Sequence, residues 1–448
     1  MKRMNRTAAG CAALLLLAGT ASAQDQWTLR QCVDYAIENS TLVQQRALQQ
    51  QDQELSLNTS RNSRLPSLSA NASENFSFGR SAGRDGVYTD VTRASSSVGL
   101  NTSVPVFAGF RIRNDIAARE FDLQAALHDL ARVKDDVAVN VTSLYLQVLF
   151  NKELLGVAQS QVELSRQQVD RSQKLFDAGR SPESAIYESR ALVARDELTL
   201  TQAENSLALS LLDLAQALNL PQIDGFDIKA PSLNNISLSA LFALREQPES
   251  IFGYAVTTRP VILAEQSRLE SSRKTLGIAK AARYPQISLG AGYSNSYYYS
   301  FSDNASNQRF IDQIRNNGSE SIGLNLSIPI FNRLSTRNQI HSANLNIQNR
   351  ELALSEAERT LRKEIEQAYQ NTTASYKKFQ SADESAKAAR IAFRYEEEKA
   401  NAGRSTTFDY NDAKTRLERS ESEMIQAKYE FLFYRKILDF YLDVPLDF

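Results

Sequence analysis

Few side chains in this sequence could act on a ligand. The only two histidines, His128 and His341, both fall inside helical stretches. No CxxC, HExxH, P-loop or GxSxG motif occurs. Without a nucleophile–base pair or a ligand cluster, the chain reads as a non-enzyme with no catalytic residue, metal or cofactor.

The elements of the chain follow a leader. Lys2, Arg3 and Arg6 precede an apolar run from Ala12 to Ala18, and Ala21-Ser22-Ala23 is an A-x-A cleavage signal. Residues 1–23 therefore read as a signal peptide, with the mature chain starting at Gln24. The run is too short for a membrane span, which needs about 20 residues. Cys32 is then the one cysteine of an exported chain, so no internal disulfide forms; its place in a helical pattern reads as a small core residue. The net charge of −1 gives no electrostatic case for nucleic acid. No stretch of 18 apolar residues follows the leader. A membrane crossing must therefore use strands.

The mature chain is an internal duplication. Leu65-Pro66-Ser67-Leu68-Ser69 returns as Tyr284-Pro285-Gln286-Ile287-Ser288, 219 residues later. The segment from Val98 to Phe107 returns as Ile322 to Phe331, and Ala178-Gly179-Arg180-Ser181 returns as Ala402-Gly403-Arg404-Ser405, both at an offset of 224. Each half predicts a helix (28–62, 256–283), two strands (66–78 and 95–106; 285–300 and 320–330), a very long helix (112–176, 335–399), a glycine turn and a returning helix (183–218, 407–441). Polar loops, 79–94 and 302–319, join the strands of each pair.

The strands alternate with period two. Ile287, Leu289, Ala291, Tyr293, Tyr297 and Tyr299 share one face; Gln286, Ser288, Gly290, Gly292, Ser294 and Ser296 share the other. Leu68, Ala70, Ala72, Phe76 and Phe78 repeat this, with Glu74 as a charge on the apolar side. A half-buried soluble sheet would alternate likewise. Strands of 11 to 16 residues, a polar face of small uncharged groups and aromatics gathered at one end fit a membrane barrel better. Four strands cannot close one, so several chains must share it.

The long helix at 112–176 carries a 4,3 apolar spacing through Leu123, Leu127, Leu130, Val137, Val141, Leu144, Val148, Leu155, Ala158, Val162, Val169 and Phe176. Lys134, Asn151, Ser165 and Ser172 interrupt it. This is a coiled-coil seam and reads as wall. Pro66 and Pro285 mark the passage from helix to strand; Pro105 and Pro329 mark the passage from strand to long helix.

The signal peptide, the duplicated halves, Val104-Pro105-Val106-Phe107 and Ile328-Pro329-Ile330-Phe331, and the two Ala-Gly-Arg-Ser turns together resemble a TolC-type outer-membrane efflux protein. The resemblance covers essentially the whole mature chain. It implies mixed α and membrane β: four strands per chain of a shared 12-stranded trimeric β-barrel, continued by a long periplasmic α-helical coiled-coil barrel. It divides the chain into repeats at 24–218 and 256–441, an equatorial linker region at 219–255 and a C-terminal tail at 442–448. It implies a homotrimer in outer-membrane lipid that works with a periplasmic adaptor and an inner-membrane transporter, without nucleic acid. The tips Ala178, Gly179, Arg180, Ser181, Ala402, Gly403, Arg404 and Ser405 would touch those partners. The glycines are explained by the turn itself, so the arginines are the better contact candidates. Asp409 and Asp412 match the acidic residues with which the family narrows its pore. Their counterparts in the first repeat are Ala185 and Glu188, and Ser405 stands where the family has an arginine used in closure. A freestanding porin and a periplasmic coiled-coil scaffold are the competing readings. The long helices argue against the first, and the lipid-like strand face against the second.

Overall fold

The structure, a computed structural model, describes residues 26–82, 86–90, 92–223, 225–230, 247–301 and 306–444 of the chain. The expected leader at 1–23 lies outside them, as do 231–246 of the linker region and 445–448 of the tail. In chain order the elements are α1 (Leu29–Asn39), α2 (Thr41–Asn62), β1 (Ser67–Ser77), β2 (Arg80–Ala82), β3 (Tyr88–Asp90), β4 (Arg93–Ala108), α3 (Arg111–Asp177) and α4 (Ser184–Ala217). The second half gives α5 (Pro248–Thr258), α6 (Pro260–Ala281), β5 (Gln286–Ser300), α7 (Phe310–Asn316), β6 (Ser319–Ser327), α8 (Ser335–Asn401) and α9 (Thr407–Tyr441).

Where one opening helix was expected per half, there are two. Ser40 turns to an extended conformation and its Oγ accepts from Val43 N, starting α2 afresh. Arg259 is likewise extended, without a side-chain cap, before Pro260, which sits at the first turn of α6. The breaks are 219 residues apart, the offset of the first sequence landmarks, so the kink is part of the duplicated unit. The loops between strands are more ordered than expected. The first carries the β2–β3 hairpin, the second the short helix α7.

The long helices α3 and α8 have 67 residues each. At about 1.5 Å per residue each runs roughly 100 Å. Both follow a pair of left-handed residues, Gly109-Phe110 and Arg333-Leu334. Gly109 is required there: a Cβ would lie 2.6 Å from the Ala281 carbonyl oxygen, where the chain crosses the end of α6. Pro66 and Pro285 directly precede β1 and β5 as expected. Pro105 departs from expectation. It lies inside β4, at the register shift between Pro105 and Phe107, and α3 begins only at Arg111. An extra residue at this shift bends the strand as it leaves the sheet. Pro329 lies two residues beyond β6.

The four long strands form one antiparallel sheet in the order β1-β4-β5-β6. Leu68 pairs with Thr102, Val98 with Asn295 and Leu289 with Leu324. The apolar residues of all four strands therefore share a face, and in the single chain this face is largely exposed outside the part of β5 that α7 covers. Leu68 is 75% exposed and Ile322 82% exposed. A contiguous apolar sheet face on this scale needs lipid or protein against it.

The packed core lies where the two helical halves meet the linker, and it too is duplicated. Cys32, Ala36, Val141 and Leu214 lie in one cluster, and Ile251, Ala255, Ile365 and Leu438 occupy the matching places in the other. Cys32 is thus the small-core counterpart of Ile251, and burial pushes its thiol up to about 12, where it is unreactive. Trp27 bridges to Ile228, tying the linker to α1. The buried Arg259 guanidinium clamps the end of α9 by pairing with Asp135 at 3.3 Å and Asp443 at 2.8 Å, and it stacks on Phe440.

Toward the far end of α3 the interior changes character. Lys134 is exposed, but the other three interruptions in the apolar seam, Asn151, Ser165 and Ser172, are buried and make cross-helix bonds. Asn151 donates to the Ser206 carbonyl oxygen at 3.1 Å, and the Ser172 and Ser189 hydroxyls lie 2.9 Å apart. Ser165 and Asp196 both meet Lys414 Nζ from α9, all three almost wholly buried. A buried pair of this kind holds register more than it adds stability. Lys414→Met should therefore lower the helix unfolding midpoint, read by circular dichroism, since an unpaired Asp196 costs about 3–5 kcal/mol. Adding Asp196→Leu should restore most of the loss. If the single variant unfolds like the parent, Lys414 does not hold these helices.

Candidate functional site

The distal ends of the helix pairs, α3 with α4 and α8 with α9, are where the expected site residues gather. Both turns are built alike. Gly179 and Gly403 each take φ +69°, a conformation that L side chains rarely adopt. Arg180 N donates to the Leu175 carbonyl oxygen at 2.8 Å and Arg404 N to that of Lys399 at 2.9 Å, while each glycine N–H bonds three residues back. This double closure is a Schellman cap, so Ala178-Gly179 and Ala402-Gly403 are fixed by backbone geometry.

The two arginines that follow have different surroundings. Arg180 reaches across to the other turn and lies on Gly403, where a Cβ would come within 2.7 Å of its Nη2. Gly403 is therefore needed twice, for its φ and for this contact. Arg404 instead lines a groove of about 900 Å³ between α8 and α9. Both arginines are exposed, but Arg180 also spans the two turns whereas Arg404 borders the groove. Arg171, which the sequence did not single out, is a second tie from the first repeat. Its guanidinium bonds the Asn401 side chain and sits 5.4 Å from the centre of the Tyr410 ring. Tyr410 is buried against Phe393, and that burial raises its phenol above the ordinary value. Ser181 and Ser405 border the shallow space between the two tips.

Asp409 and Asp412 share the wall of the Arg404 groove, whose floor is the small side chains Ala388, Ala389, Ala392 and Ala413. Each aspartate also has a local partner. Thr406 caps α9, accepting from Asp409 N at 3.1 Å and donating to Asp409 Oδ2 at 2.7 Å. Asp412 pairs with Arg416 at 2.7 Å while remaining 44% exposed. Ser405 Oγ donates to Glu396 at 2.5 Å, and this bond, with one from Lys399, holds the Glu396 carboxyl below its usual range. The groove is therefore a mixed field: four carboxylates (Glu396, Asp409, Asp412, Glu423) among Lys399, Arg404, Arg416 and Arg419. In the first repeat Pro182 replaces Thr406 and Ala185 replaces Asp409, and no side chain caps α4. The acidic cap belongs to the second copy alone.

Comparison with known proteins places this geometry. The family model for outer membrane efflux proteins matches residues 32–220 and 254–436, one segment in each repeat. The outer membrane efflux protein BepC of Brucella suis is 20% identical over 349 residues, covering 75% of this chain and 70% of its own. The outer membrane protein TolC of Vibrio cholerae is 23% identical over 386 residues, covering 78% and 83%. Among solved structures, the CmeC outer membrane channel of Campylobacter jejuni superposes with a TM-score of 0.76 at 17% identity, over 98% of this chain and 93% of that one. The chain belongs to the outer membrane efflux protein family.

Proposed function

We propose that this protein is the outer-membrane exit duct of a tripartite efflux or type I secretion system. Three copies form a passive channel that works with a periplasmic adaptor and an inner-membrane transporter. The observation that carries this is the fusion of a four-stranded sheet, apolar on one face and small and polar on the other, to helices of 67 residues. The sheet supplies a third of a barrel whose outer face meets lipid and whose inner face meets water. The helices carry the same wall roughly 100 Å further. A freestanding porin joins its strands by short periplasmic turns and has no use for such helices.

The free energy for transport comes from the transporter, and this chain supplies walls and a gate. Asp409 and Asp412 of three copies would give two carboxylate rings around the far opening. The nearby arginines temper the field, so the rings hold a cation without trapping it. The exposed Arg404 faces the adaptor or transporter, whereas Arg171 and Arg180 tie the two hairpins of one protomer together.

Fractionation tests the reading. The protein should be recovered from outer membranes only with detergent, and recovery in the soluble periplasm would refute it. A second measurement addresses the gate. Asp409→Asn with Asp412→Asn, which removes both carboxylate rings, should weaken block of bilayer conductance by divalent cations about tenfold or more, that is by about 1.4 kcal/mol or greater. Unchanged block would remove these residues from the gate.

A further inference from the structure

The sheet has two open edges, and their chemistry specifies how one copy meets the next. Among the described residues of the four long strands, the apolar face carries only two charged side chains, Glu74 and Glu320. Glu74 is on β1 and Glu320 on β6, the two strands that lack an outer partner. Charges at such positions discourage wrong pairing of an open edge, and they also limit the right one.

The length of the join is set at β6. Above Ser294, the edge of β5 that β6 would cover is taken by side-chain amides. Gln313 on α7 bonds both the N–H and the carbonyl of Tyr298 at 2.8 Å. Asn307 does the same for Ser300 at 2.7 and 2.8 Å. Asn317 bonds the Ser296 carbonyl oxygen at 2.6 Å. These amides stand in for a strand, so β6 begins at Ser319 and offers nine residues.

We propose that β6 of one protomer pairs antiparallel with β1 of the next in a single register, with Leu324 opposite Ala72 of the partner subunit. This rests on the reading above that several copies close one barrel. Three constraints select the register. All nine residues of β6 must lie within the 11 residues of β1. Directly opposed residues must share a face, so Leu324 meets an even-numbered residue of β1. Only two registers satisfy both, Leu324 opposite Ala72 and Ile322 opposite Ala72. The second sets Glu320 directly against Glu74 of the partner subunit, which like charges disfavour. The first sets Glu320 against Phe76 of the partner subunit, within the aromatic belt. It staggers each protomer by six residues across four strands, about 20 Å of rise over about 19 Å of width. The resulting lean of about 45° is at the upper end of what membrane barrels adopt.

Oxidative cross-linking in outer membranes reads this directly, with free thiols blocked before denaturation. Leu324→Cys with Ala72→Cys should convert the monomer band into covalent trimer. Ile322→Cys with Ala72→Cys should remain mostly monomer. On the polar face, Asn325→Cys with Asn71→Cys reports the same register independently and should also link, whereas Gly323→Cys with Asn71→Cys should not. Preferential linking of the Ile322 or Gly323 pairs overturns the register and leaves the duct reading intact. No linking in any pair, in membranes whose protein still migrates as an assembly on native gels, overturns the β6–β1 join. If the unsubstituted protein forms no assembly in the outer membrane, the duct reading falls and the join with it.

Discussion

A backbone N–H or C=O without a partner cannot be left in hydrocarbon, and each chain carries two rows of them. The outer edges of β1 and β6 satisfy nothing within one copy, while the face beside them is apolar and bare. Each unsatisfied group costs several kcal/mol in lipid. Open edges of nine residues on β6 and eleven on β1 outweigh the marginal stability of an ordinary domain. The strands therefore make sense only once other copies close the ring, and the rest of the molecule is built around that. The amides on α7 and its flanks seal the part of β5 that β6 does not reach. The left-handed pairs before α3 and α8 and the bulge at Pro105 redirect the chain between strand and helix.

Along the axis, the balance of forces changes. Near the linker the helices hold one another by two matching apolar clusters and by the Arg259 clamp. Toward the tips, buried serines, an asparagine, Asp196 and Lys414 are interleaved with a smaller apolar cluster of Phe393, Tyr410 and Leu417. Hydrogen-bonded interiors are directional, so they define one arrangement sharply but lose more when it shifts. At that end Arg171, Arg180 and the buried Lys414 together tie the two hairpins to each other.

Much of this was legible in the residues. Period-two alternation marked all four long strands, the Ala-Gly-Arg-Ser turns marked the tips, and the repeat offset located both halves. The kinks at Ser40 and Arg259 escaped because the apolar period continues across each. Pro260 was the available signal for the second, as a first-turn proline. The seven-residue helix α7 is too short to show a period. Ser165 and Ser172 counted as flaws in a coiled coil, because the residues that complete them, Lys414, Asp196 and Ser189, are distant in sequence. Asp409 and Asp412 carry no pattern of their own and were singled out by the resemblance alone; the cap from Thr406 and the pairing with Arg416 give each a local role.

The central claim is that one chain is a third of a closed wall. Native mass spectrometry of the protein extracted from outer membranes in mild detergent counts the copies directly. Three chains per particle, with no stable monomer, is the predicted result. A particle of one chain that remains folded and conducts ions in a bilayer would contradict it.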